Sequence, residues 1–223
     1  MDEHLCVSKV PIFSSLNHKR LKEINKVVRQ RVYSKNEIIF MEGEPAQNIH
    51  IINKGRVKVF NTSADGKEYI IRLLKEGDFF GELILFKEEP ISYSARALTE
   101  VSVCLINKND LETLINDNPK ISNELLTALS SRLKQVEEKA HSLALDDARI
   151  KTIKLLNNLS EENGQNTKKG TMIELPLTRD GLASLMGMTQ ETLSRKLSEL
   201  EDEKKIELIG HKKILIKGEL FNI

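Results

Sequence analysis

The chain reads as an α+β protein in three parts: an antiparallel β-roll, a long amphipathic helix and a C-terminal winged helix-turn-helix. Three observations carry this reading. Short β-branched runs separated by turn residues fill positions 32 to 106. An apolar stripe at Leu129, Leu133, Val136, Ala140 and Leu143 then steps at helical spacing through a charged segment. Finally, two short amphipathic segments meet at Gly187, followed by a lysine-tipped hairpin pattern. The expected boundaries are 1–117 for the roll, 118–145 for the helix and 146–223 for the C-terminal domain.

An opening helix is expected where Leu21, Ile24 and Val28 recur at helical spacing, with Asn17 as N-cap. The runs NEIIF, IHIINK, RVKVF and YIIRLL read as strands. The turns between them lie at EGEP, Gly55, Gly66 and Gly77. Connections this short force antiparallel pairing, because parallel strands need crossovers of a dozen residues or more. A short helix, KNDLETLI, precedes Asn118-Pro119, where Asn118 can cap and proline loses nothing at the first helical position. The stripe of the next helix matches the seam of a two-stranded coiled coil, so Leu129, Leu133, Val136, Ala140 and Leu143 are the expected homodimer interface. The alternative is packing on its own domain. A further amphipathic helix runs through Ile150, Ile153, Leu156 and Leu159 and ends in NGQNTKKGT, read as a polar loop. MIELPL is a brief strand.

The bulk numbers remove several function classes. A net charge of +1 gives no whole-molecule pull toward nucleic acid or membrane, so any nucleic-acid role must be local. No apolar run approaches the roughly 18 residues that cross a bilayer, and the start lacks the order of a signal peptide. The expectation is a cytoplasmic protein without membrane contact. The five histidines are scattered, and no G-x-S-x-G or Walker loop is present. Neither an enzyme nor a metal site nor a cofactor is expected.

The segment LTRDGLASLMGMTQETLSRKLSEL carries the clearest chemistry. Thr178 caps one helix, Gly187 breaks it and Thr189 caps the next, whose buried stripe is Leu193, Leu197 and Leu200. Glu191, Ser194 and Arg195 share the opposite face at i, i+3 and i+4. An arginine fork matches guanine, a carboxylate accepts from the cytosine amino group, and a helix of this kind enters the major groove N-terminus first. Gln190 stands beside them. Arg179, Thr178 and Thr189 lie at helix starts that favour phosphate, and Lys212 and Lys213 sit at the tip of the hairpin KKIELIGHKKILI. The competing reading is a solvated face with an incidental Glu–Arg pair.

The order of roll, long helix and winged helix-turn-helix resembles the CRP/FNR family of bacterial transcription regulators, most specifically at GDFFGELILF and TQETLSRKLSEL. The resemblance implies a cyclic-nucleotide-binding-like jelly roll, a homodimer on palindromic double-stranded DNA, and RNA polymerase as a further partner. Glu191, Ser194 and Arg195 are similar to the FNR branch, which implies a TTGA-type half-site. In the roll, Gly81, Glu82 and Ser92 match the family's phosphate cradle, but Ile91 stands where cyclic-nucleotide members carry arginine. Isoleucine supplies none of the charge-assisted contact, and Glu137 and Glu138 on the long helix oppose a phosphate. The cradle reads as a frame without its cyclic nucleotide, with Arg96 as a candidate substitute cation. Cys104 falls where FNR proteins place an internal cluster ligand, but Cys6 stands alone on the N-terminal side, too few for a four-cysteine cluster. The chain resembles Gram-positive FNR-like proteins with one cysteine in each place, which implies a redox switch through Cys6 and Cys104. The plain alternative is a buried, inert Cys104. Regulation by a small-molecule effector in the roll, or by none, also stays open.

Overall fold

A computed structural model describes residues 13, 18–45, 47–85, 89–218 and 220. It divides into two compact units, Met1–Gln135 and Val136–Ile223. The division falls within the long helix, which therefore contributes to both.

The first unit runs α1 (His18–Val27), β1 (Arg29–Tyr33), β2 (Ile38–Phe40), β3 (Asn48–Lys54), β4 (Val57–Thr62) and β5 (Glu68–Leu74). It continues through β6 (Phe79–Phe80), a 3-10 turn (Glu82–Leu85), β7 (Ser94–Ala97), β8 (Val101–Asn107), α2 (Lys108–Asp117) and the start of α3 (Pro119–Leu145). Two four-stranded antiparallel sheets, β1-β8-β3-β6 and β2-β7-β4-β5, face each other. Tyr33, Ile52, Val101 and Val103 of the first sheet meet Phe40, Val57, Val59 and Ala95 of the second between them. The outer face of the first sheet is covered too. Ile49, Ile51, Cys104 and Ile106 pack there with Phe13, Ile24, Leu111, Ile121 and Leu125. Burial on both faces explains why IHII and VSVCLI read as continuous apolar runs.

The second sheet is covered on one side only by apolar residues. Lys58 and Arg96, opposite each other across β4 and β7, point away from the interior, and their cationic groups lie 4.9 Å from the Phe60 ring centroid. Both pair with Glu68. On β5, Arg72 stands opposite the fully buried Val59 and two residues before Leu74, so it shares the interior face.

Asn118, the expected cap of α3, accepts through Oδ1 from Lys120 N–H at 3.3 Å, and Asn107, which the sequence reading had not named, accepts from Asn109 N–H at the start of α2. Asn17 lies outside the described residues.

The second unit holds the rest of α3, then α4 (Ala148–Asn163), β9 (Gln165–Thr167), β10 (Gly170–Glu174), α5 (Arg179–Leu185), α6 (Gln190–Asp202), β11 (Ile206–Ile209) and β12 (Lys213–Ile216). The strands form one sheet, β11-β12-β10-β9. Its core joins Ile153, Leu156 and Leu159 of α4 to Ile173, Leu182, Leu197, Leu200, Ile206 and Ile214. NGQNTKKGT, read from the sequence as a loop, is a hairpin in which Gln165, Asn166 and Thr167 pair with Met172, Thr171 and Gly170. The three β9 residues are exposed, so this edge strand carries no apolar alternation by which the sequence could announce it.

Candidate nucleic-acid interface and sensor cradle

Thr178 accepts from Gly181 N–H at 3.2 Å and starts α5. The helix closes at Met186, and Gly187 turns the chain at φ +62. Glycine suits the position: its φ is left-handed, and a Cβ there would lie 2.7 Å from Leu143 Cδ2. Thr189 then accepts from Thr192 N–H at 3.2 Å and starts α6. Leu193, Leu197 and Leu200 are buried, which turns the opposite side of α6 outward.

On that side Thr189, Gln190, Glu191 and Arg195 are exposed and Ser194 is half-buried. The Arg195 side chain is 68% exposed, and its Nε lies 4.0 Å from Glu199 Oε1, on the side away from Glu191 along the helix. Glu199 is itself held by Lys196 at 2.7 Å, so Arg195 is loosely tethered. The Glu191 carboxyl sits below the usual carboxylate range because its own backbone N–H and the Thr189 hydroxyl donate to it. Lys212 and Lys213 are exposed at the turn between β11 and β12, where Gly210 has φ +62. Arg179, the first residue of α5, keeps a buried Nε without a hydrogen-bond partner among the described residues.

Along α3 the stripe divides. Ile121 and Leu125 are buried in the first unit's core, and Leu129 packs partly against it. Leu133, Val136, Ala140 and Leu143 are exposed, at 59% and 53% for Leu133 and Val136. Leu126, also 59% exposed, lies three residues before Leu129 and extends the stripe N-terminally, although the sequence reading began it one step later.

The cradle brings some expected residues together and separates others. Gly81 has φ +84, and a Cβ there would meet Asn48 O at 2.9 Å and His50 Nδ1 at 3.3 Å. Its N–H donates to the Tyr93 hydroxyl at 3.0 Å, tying the turn to the segment after Ile91. Ile91 packs its side chain against the interior core, and its backbone bridges to Gly43 and Glu44. Ser92 is exposed, and its carbonyl accepts from Asn61 Nδ2 at 2.9 Å. Glu82 is buried and ion-pairs through Oε1 with Arg132 of α3, whose Nη2 donates to Phe79 O at 2.7 Å. Glu82 Oε2 has no hydrogen-bond partner among the described residues. Arg96 does not join this group: its register with Lys58 and its contacts with Glu68 and Phe60 place it on the outer face. Strand parity separates the two sites, since Ala95 and Ala97 on either side of Arg96 face inward.

Residues 30–118 match the family model of the cyclic nucleotide-binding domain, and residues 151–219 match that of the Crp-like helix-turn-helix domain. The chain is 29% identical over 216 residues to the CRP-like cAMP-activated global transcriptional regulator of Mycobacterium tuberculosis, covering 97% of this chain and 95% of that protein. It is 33% identical over 187 residues to the cAMP-activated global transcriptional regulator CRP of Salmonella typhimurium, covering 83% of this chain and 88% of that one. The chain belongs to the CRP/FNR family of DNA-binding transcription regulators. Among solved structures, the c-di-GMP responsive regulator CLP of Xanthomonas campestris superposes on this family member with a TM-score of 0.80 at 25% identity. That match covers 91% of this chain and all of that one.

Within this CRP/FNR regulator, Cys104 is fully buried on β8, opposite Gln30 and Ile51 and in one core with Phe13. Its sulfur is disulfide-bonded. Cys6 lies outside the described residues. The sequence had pointed to Gly81, Glu82, Thr189 and Arg195, but not to Tyr93, Arg132 or Arg72. Tyr93 and Arg132 act across 12 and 50 residues of chain, a separation that no local pattern encodes. Among the described residues, no helix is long and apolar enough to cross a membrane.

Proposed function

We propose that this CRP/FNR regulator binds palindromic DNA with TTGA-type half-sites as a homodimer, reading bases with Glu191, Ser194 and Arg195. The observation that carries the reading is the outer face of α6. Its first turns expose a carboxylate, an amide and a loosely held guanidinium, while leucines fix the other side in the core. Arg fits guanine O6 and N7, and Glu191 fits the cytosine amino group. Thr178, Thr189, Gln190 and Lys212 are exposed and suit phosphate, and Arg179 stands at the start of α5, where helix N–H groups favour an anion.

The homodimer rests on α3. Leu126, Leu133, Val136 and Leu143 are large apolar side chains 44–59% exposed at seam spacing, an arrangement that a second copy would cover. RNA polymerase is the remaining partner in this reading. Sedimentation velocity and a gel shift with a TTGA palindrome and a scrambled duplex, at several salt concentrations, test it together. A dimer with salt-resistant preference for the palindrome is expected. A monomer, or equal binding to both duplexes at every salt concentration, would overturn it.

A second reading concerns control. Cys6 and Cys104 form a redox switch, two thiols yielding two protons and two electrons to a peroxide or disulfide oxidant. Supporting it, Phe13 shares the core that contains Cys104, and the seven residues from Phe13 back to Cys6 reach up to roughly 24 Å when extended. DNA affinity of the parent, Cys6→Ser and Cys104→Ser should diverge between oxidant and reductant. Identical affinities in both states would dismiss the switch.

A further inference from the structure

We propose that a polar latch across the corner between α3 and α4 holds α6 at a fixed angle to the dimer stripe, and so sets which spacing of DNA half-sites the regulator accepts. The inference rests on the DNA-binding homodimer proposed above and adds four positioning residues to it: Ser142, Asp146, Lys151 and Lys154. The stripe residues Val136, Ala140 and Leu143, the corner and α6 all belong to the second unit. Asp146 and Asp147 alone separate the end of α3 at Leu145 from the start of α4 at Ala148. Such a short connection is where a hinge is expected, because a few element-terminal residues can absorb a large backbone change.

The side chains oppose that freedom. Asp146 Oδ2 accepts from Ser142 Oγ on α3 and from Lys154 Nζ on α4, both at 2.6 Å. Lys151 Nζ donates to Leu143 O at 3.2 Å, a carbonyl from the last turn of α3, where helical partners run out. Asp147 accepts from Ile150 N–H at 2.8 Å and caps α4. The Asp146 side chain is 10% exposed, and the hydrogen bonds from Lys154 and then Ser142 hold its carboxyl below the usual carboxylate range. A lone surface ion pair contributes little, but here one carboxylate is gripped from both helices and a second lysine holds the helix end, which makes a network. The turn between α5 and α6 stands against the same end of α3, since a Cβ on Gly187 would lie 2.7 Å from Leu143 Cδ2.

The angle at this corner carries through to the face that reads DNA. Ile153, Leu156 and Leu159 of α4 share one core with Leu193, Leu197 and Leu200 of α6, so the two helices move together. The 16 residues of α4 span about 24 Å. A swing of about 10° at the corner would shift the far end of such a lever by about 4 Å, more than one base-pair step of about 3.4 Å. Each protomer of a dimer adds its own shift. Half-site spacing is a geometric property of the pair. A corner held at one angle therefore admits one spacing, whereas a free corner admits several.

Fluorescence anisotropy with TTGA palindromes whose centre is shortened or lengthened by one or two base pairs reads the spacing profile. The parent should prefer one spacing, and a second half-site out of register should cost it about tenfold or more in affinity. The double variant Lys151→Met, Lys154→Met should bind that spacing more weakly and the others within about threefold of it, because the productive angle is then one of several populated. Asp146→Ala, which removes the acceptor, should do the same. Lys168→Met, which removes an exposed charge on the turn between β9 and β10, should keep the parent profile. Scanning calorimetry confirms that each variant is folded. Hydrogen exchange without DNA reads the corner separately, and amides from Asp146 to Ile150 should exchange faster in both loosened variants. An unchanged spacing profile in the loosened variants would overturn the proposal, as would unchanged exchange at the corner or equal flattening by Lys168→Met. A parent that prefers no palindrome over a scrambled duplex at any spacing refutes the DNA reading instead, and exchange at the corner then decides the latch by itself.

Discussion

Replacing Arg195 with alanine separates base reading from every other contribution of α6. The side chain is 68% exposed, and its ionic contact is Glu199 at 4.0 Å, so folding stability should move by no more than about 0.5 kcal/mol. A guanidinium that grips guanine contributes about 1–3 kcal/mol of discrimination, hence about 2–6 kcal/mol over two half-sites. Even the lower limit is roughly a thirty-fold loss of affinity. Fluorescence anisotropy with a labelled TTGA palindrome and a scrambled duplex of the same composition, at one salt concentration, measures both terms. Arg195→Ala should lose affinity for the palindrome and little for the scrambled duplex. Lys212→Ala should weaken both alike and lower the salt slope by about 1 per protomer. If Arg195→Ala weakened both duplexes equally, or neither, α6 would not be reading bases through this side chain.

Other expected outcomes follow from burial. Leu197→Ala, at 2% exposure in the second unit's core, should cost about 2.7–5 kcal/mol in urea unfolding; a loss below about 1 kcal/mol would mean the core collapses around the gap. Arg132→Leu leaves the Glu82 carboxylate, 8% exposed, without its cation and should cost about 3–5 kcal/mol. Adding Glu82→Gln to that chain should recover most of the loss, and a purely additive double variant would contradict the coupling. His50 titrates at about 4 when folded and near 6.5 when unfolded, so the unfolded chain binds more protons between those values. Its contribution is complete above the unfolded value and shrinks as pH falls toward 4, by about 2 kcal/mol from pH 7 to pH 5. His50→Gln should flatten that window, and an unchanged pH dependence would exclude the imidazole as its source.

The roll and the winged helix were legible because their elements carry local periodicity. Ile24, the β-branched runs and the leucines of α6 all lie where spacing put them. The turns were equally legible, since Gly55, Gly66 and Gly77 take positive φ where the sequence marked breaks. What stayed hidden depends on partners distant in sequence or on a face that spacing misassigns. Arg132 looks like one more charge on a polar helix until Glu82 is seen beside it. Arg96 was a candidate substitute cation expected deeper in the strand, whereas the inward-facing Ala95 and Ala97 on either side turn it to the outer face. Arg72 carried a faint signal, a charged residue in YIIRLL two positions before an interior leucine. The bulge between Val59 and Phe60 breaks the simple alternation that would have exposed it. The exposed strand β9 had no signal at all.

Arg132 also ties the turn after β6 to α3. It clasps Glu82 Oε1 and Phe79 O with a guanidinium 4.8 Å from the Phe79 ring centroid, and the next residue, Leu133, belongs to the exposed stripe. A ligand that takes only the vacant Oε2 leaves this clasp intact and has no differential grip on the helix. A ligand that takes Oε1 must displace Arg132, and the helix is then released at the position where the stripe is bare. The two modes give opposite signatures in hydrogen exchange. For the first, amides from Leu126 to Leu133 exchange at the same rate with and without a ligand in the roll; for the second, they exchange faster with it. Because Oε1 is held in the clasp while Oε2 is vacant, the first outcome is expected. Faster exchange confined to that stretch would show that the ligand competes with Arg132 and acts directly on α3.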